Sequence, residues 1–157
     1  MSLSKHFITF STFPIDEINE NFIDKIYEIA MFDLERKKAK LSESCSVAAT
    51  TLTTENLSDE TIQNLKDDIE NINDVIKNMN VNVVYILADS KEIIDKIIEY
   101  SKNKVEILQT PQKGNLEYRY TVTYKSIEFT IHSSCVRNVK DLFISVYISN
   151  GENYLNW

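Results

Sequence analysis

Residues 117–134, EYRYTVTYKSIEFTIHSS, decide the fold class. Two stretches, 117–124 and 127–134, alternate cleanly in polarity around Lys125-Ser126, the pattern of an antiparallel hairpin with a two-residue turn. Residues 142–149, LFISVYIS, supply a further strand. The C-terminal third is therefore read as an antiparallel hairpin or meander.

Upstream the period is different. Val81 to Leu87, VNVVYIL, is a short and nearly continuous apolar run, as expected of a strand buried on both faces. Ser90 caps a helix through Ile93, Ile94, Ile97 and Ile98, and Val105 to Leu108 reads as a strand, so a βαβ unit is expected over about 81–109. Before it, Ser58 is a helix N-cap with Asp59 and Glu60 in the first turn. Ile62, Leu65, Ile69, Ile72, Ile76 and Met79 then form one narrow stripe, an internal packing face rather than a coiled-coil seam. The small, β-branched stretch Cys45 to Thr54 is expected to be a strand. At the N-terminus a strand over 6–12 precedes Pro14, and Ile15, Ile18, Phe22, Ile26 and Ile29 recur at helical spacing. That helix is expected to end at the cations Arg36, Lys37, Lys38 and Lys40.

Together these readings predict an α+β fold. A mixed sheet of roughly six strands carries two or three helices, packed mainly on one face, and residues 1–157 make a single globular domain. The tail from Gly151 is expected to dock Tyr154, Leu155 and Trp157 on the body.

Composition limits the function. With 24 acidic and 17 basic residues the formal charge is −7, which makes nucleic-acid binding through a basic surface unlikely and suits a partner with a basic surface. No apolar run reaches bilayer length and no signal peptide precedes the first strand, so a cytoplasmic protein is expected, with no membrane contact. Abundant Ile, Asn and Lys with three Arg point to an A/T-rich gene, of a bacterium, phage, virus or parasite. Cys45 and Cys135 lie outside any metal or redox spacing and are read as reduced thiols. Only Gly114 and Gly151 are present, which excludes the glycine-rich phosphate and dinucleotide loops and the nucleophile elbow; no cofactor and no metal is expected.

Three constellations remain. The first is the acidic set Glu60, Asp67, Asp68, Glu70 and Asp74 on the helix after Ser58, a docking face for a basic partner. The second is the row Tyr118, Tyr120 and Tyr124, which shares one strand face and could anchor a partner or a homodimer. The third is His132 with Ser134, in the His-x-Ser form that phosphoester chemistry uses in facing pairs; His6 is the only other histidine, and its hydroxyl neighbour Thr9 falls on the opposite strand face. Asp89, just beyond a buried strand, holds a position where α/β proteins often place ligand-binding groups. The reading carried forward is a small acidic, non-catalytic protein-binding domain, such as an immunity protein, an inhibitor or a phage counter-defence factor. The alternative is a small phosphoester- or nucleotide-processing enzyme built on His132 and Ser134.

Overall fold

A computed structural model describes residues 6–111, 118–133 and 141–149. Strand β1 (His6–Pro14) leads through a 3-10 turn into helix α1 (Phe22–Thr54), followed by α2 (Asp59–Asn78), β2 (Asn80–Ala88) and α3 (Lys91–Ser101). Four strands complete the order: β3 (Glu106–Gln109), β4 (Arg119–Tyr124), β5 (Ile127–Ser133) and β6 (Asp141–Ser149).

The six strands form one mixed sheet in the order β1-β6-β2-β5-β4-β3. Every neighbouring pair is antiparallel except β2 with β5. The fold is α+β with an antiparallel meander toward the C-terminus. Two details differ from the expectation. β6 lies between β1 and β2 rather than beside the hairpin. β3, although it runs in the same direction as β2, is separated from it by β5 and β4, so the expected βαβ unit spans two intervening strands.

One core holds α1 and α3 on a single face of the sheet. Phe22, Ile23, Ile26 and Ala30 of α1 and Ile94 and Ile97 of α3 are fully buried. They pack with Val84 and Ile86 of β2, Phe129 and Ile131 of β5, and Leu142, Ile144 and Ile148 of β6. Burial on this scale, at roughly 25 cal/mol per Å² of apolar surface, dominates the stability of the domain.

The largest departure from the sequence reading is in α1. The cations at 36–40 do not end the helix, and residues 45–54 are not a strand: α1 continues unbroken for 33 residues. Side-chain hydroxyls bond back to the carbonyl four residues earlier, Ser46 to Ser42 (3.3 Å), Thr50 to Ser46 (2.9 Å), Thr51 to Val47 (3.0 Å) and Thr54 to Thr50 (2.8 Å). Such back-bonding satisfies the hydroxyls inside a helix. Packing against α2 supplies the rest, since Cys45 Sγ lies 3.9 Å from the Ile69 carbonyl and 3.7 Å from Asn73 Oδ1. Tertiary contact here overrides strand propensity.

α1 would extend about 50 Å, against about 30 Å for a nine-residue strand. Its buried residues all fall between Phe22 and Leu34, and α2 buries only Ile72. The second half of α1 and most of α2 therefore form a two-helix arm that reaches beyond the sheet. The caps match the sequence reading: Ser58 accepts from the Thr61 amide (3.2 Å) and Ser90 from the Ile93 amide (3.4 Å).

The β4–β5 turn also matches. Lys125 and Ser126 have φ of 48° and 67°, the left-handed pair that a two-residue type I′ turn requires. Neither is glycine, so both carry steric cost. Ser126→Gly is expected to stabilise the fold by about 0.5–1 kcal/mol, raising Tm by a few degrees. A thermal melt that shows an unchanged or lower Tm would refute that account of the turn.

Candidate functional site

On the arm, Asp59, Glu60, Asp67, Asp68, Glu70 and Asp74 are all exposed. Their helical positions put most of them on the side of α2 away from its apolar stripe, in which Ile72 is buried and Ile62, Leu65, Ile69 and Ile76 are half-buried. The ion pairs found among the described residues, Arg36–Asp33, Lys38–Glu35, Lys102–Glu99 and Lys104–Asp24, use none of these carboxylates. Asp67 accepts one hydrogen bond, from Gln63 within the same helix (2.9 Å). The acidic set spreads over the solvent side of α2, which also carries the exposed Lys66 and Lys77.

The tyrosine row packs inward. Tyr124 is buried, its ring meets Tyr27 edge-on at 5.5 Å and Phe129 at 6.3 Å, and its hydroxyl donates to the Asp24 carboxylate. Tyr118, half-buried, donates to Asp95 of α3 and meets Tyr120 edge-on at 5.8 Å. Lys125 Nζ sits 4.7 Å from the Tyr27 ring centroid and 5.4 Å from that of Tyr124, within cation–π range. These side chains tie α1 and α3 to β4, so the row is a set of struts rather than an open aromatic surface.

Their titration follows from this placement. The hydrogen bond to Asp24, with burial second, pushes the Tyr124 hydroxyl from 10.0 to about 12. Burial, then Asp95, raises Tyr118. Asp24 is held below its ordinary 3.8 by Lys104, whose Nζ lies 2.6 Å away, and then by Tyr124.

His132 stands on the sheet face away from the helices, half-buried, with its ring edge-on to Tyr85 at 6.1 Å. Ser134 lies outside the described residues. The backbone at His6 lies far from that at His132. Two strands separate β1 from β5, about 14 Å at ordinary spacing. His6 is level with Ser149 and Asn80, whereas His132 pairs with Leu87, seven residues farther along β2, which adds about 23 Å. Asp89 is exposed just past β2.

Two features lie outside the sequence reading. A cavity of about 560 Å³ is lined by Pro14, Ile15, Asp16, Lys96 and Asp141 at the end of the β1–β6 pair. Its residues come from three distant segments. The sheet face that carries His132 also exposes Ile8, Phe10 and Phe143, at 46%, 73% and 40%. Alternation alone could have marked those positions, but without the strand order they could not be assembled into a face.

Compared with known protein families, curated proteins and solved structures, the chain matches none.

The Tyr124–Asp24 contact sets a pH dependence. Because the folded pKa of Asp24 is lowered, its contribution is present above about pH 4 and is lost as pH falls through the lowered value. Because that of Tyr124 is raised, its contribution holds below pH 10 and disappears as pH rises toward 12. Tyr124→Phe should cost about 1 kcal/mol, or roughly 2–4 °C in Tm at neutral pH, and flatten the alkaline loss. Melts from pH 3 to 11 on both proteins check this, and identical profiles would remove the strut from the account.

Proposed function

We propose that this chain is a small non-catalytic protein-binding domain that docks on a basic partner through the outer face of α2, in the manner of an immunity protein, an inhibitor or a phage counter-defence factor. The observation that carries the reading is the set of six exposed carboxylates on α2, placed on an arm that reaches beyond the sheet. Glu60, Asp67, Asp68, Glu70 and Asp74 are the contact residues. α2 carries six carboxylates against two lysines, and such an excess of one sign speeds encounter with an oppositely charged surface and fixes orientation. A net charge of −7 adds to the same field. Among the described residues no helix is long and apolar enough to cross a membrane.

The reading is tested with Asp67→Lys, Asp68→Lys and Asp74→Lys combined. All three side chains are exposed, so the fold should survive, as circular dichroism would verify. Immobilised wild-type protein is expected to retain a basic protein from host lysate at low salt and release it as salt rises. The triple variant should lose that retention by tenfold or more. A partner held equally well by the variant would overturn the assignment of α2.

A further inference from the structure

Phe32 and Val47 are 67% and 64% exposed on α1. Neither belongs to the core, which takes Phe22, Ile26, Ala30 and Leu34 from an adjoining side of the same helix. Between them, Arg36, Ala39 and Glu43 are also exposed. The row 32, 36, 39, 43, 47 follows spacings of four, three, four and four, so all five lie within ~80° of the helix circumference at 3.6 residues per turn. It is turned away from α2, which contacts α1 at Cys45.

We infer that α1 pairs antiparallel with α1 of a second copy of this chain, about a two-fold axis at Ala39–Lys40. The row is complementary to itself in that register and no other partner need be invoked. Phe32 of each copy faces Val47 of the other, and Arg36 faces Glu43. About two turns farther out, the exposed Lys25 reaches the C-terminal end of the opposing α1, at Thr54 and Glu55. Apolar groups thus meet apolar groups, cations meet carboxylates, and Ala39 at the axis permits close approach of the two backbones. A two-fold contact has this property by construction, since residue i meets j and j meets i. Antiparallel helices also oppose their dipoles favourably. In the pair, the arm of each copy lies across the sheet-bound half of the other copy's α1. Arg36 Nη2 is 3.3 Å from Asp33 Oδ1, and the guanidinium has further donors for Glu43. The pairing uses the other side of the arm from the acidic α2 face and stands independently of that reading.

Light scattering and sedimentation across concentration test the inference on the full chain. Dimer is expected, with Phe32→Asp plus Val47→Asp abolishing it while helix content is retained. Arg36→Glu and Glu43→Arg should each weaken association about tenfold, and the two together should restore most of it, because the swapped charges again face each other. Phe10→Asp, on the sheet face away from the helices, should leave the dimer intact. A chain that stays monomeric at about 200 µM would overturn the inference, as would a dimer that survives the Phe32/Val47 change, a charge swap without rescue, or dissociation by Phe10→Asp.

Discussion

Helix α1 is longer than the sheet it covers, and the rest of the molecule is arranged around that mismatch. Its first half is held by the burial of Phe22, Ile23, Ile26, Ala30 and Leu34. Beyond Leu34 none of its residues is fully buried, with Leu41 only partly packed on the core, and it must find another apolar surface. α2 supplies one, with a stripe of Ile and Leu on the helix that meets α1 at Cys45. Two helices cannot enclose a core as a sheet and helix can, which is why only Ile72 of α2 is buried while its neighbours in the stripe stay half-exposed. The same geometry leaves the outer faces of both helices to solvent. What they carry, carboxylates on α2 and an apolar and charged row on α1, is therefore free to vary with function.

The junction where α1 leaves the sheet is marked by Asp33. Its side chain is buried, one oxygen meets Arg36, and burial raises its pKa above the ordinary value. A carboxylate in that position costs stability unless it is paired. The arrangement contrasts with Asp24 one face away, where Lys104 and Tyr124 both favour the charged form. Two aspartates nine residues apart on one helix are thus pushed in opposite directions by what surrounds them.

What could be read from the chain without coordinates was whatever is local. The caps at Ser58 and Ser90 and the Lys125-Ser126 turn follow from side chains within a few positions, and all three stand where expected. The α+β class followed from the change of period at residue 117. Residues 45–54 misled because their β-branched side chains favour a strand in isolation, and only α2 and the back-bonded hydroxyls decide otherwise. The place of β6 was not legible, because nothing in LFISVYIS distinguishes a strand beside the hairpin from one between β1 and β2. For the candidate site, the acidic face of α2 was legible from helical spacing. The arm that displays it was not, since its extent depends on the helix continuing past Lys40.

The distribution of reactive groups bears on what such a molecule can do. General acid–base or nucleophilic chemistry needs several groups converging within hydrogen-bond reach of one another. Here they diverge. His132 lies on the sheet face away from the helices, and the position of His6 is far along a different strand. Tyr118 and Tyr124 have their hydroxyls engaged by Asp95 and Asp24 in holding the helices down. The carboxylates of α2 point outward from a convex helix, which cannot exclude water from a substrate as a cleft does. A convex charged surface acts on an oppositely charged one through long-range attraction and shape. Of the three helices α2 buries the fewest residues, so its carboxylates stand in solvent, where attraction to an opposite charge acts at long range.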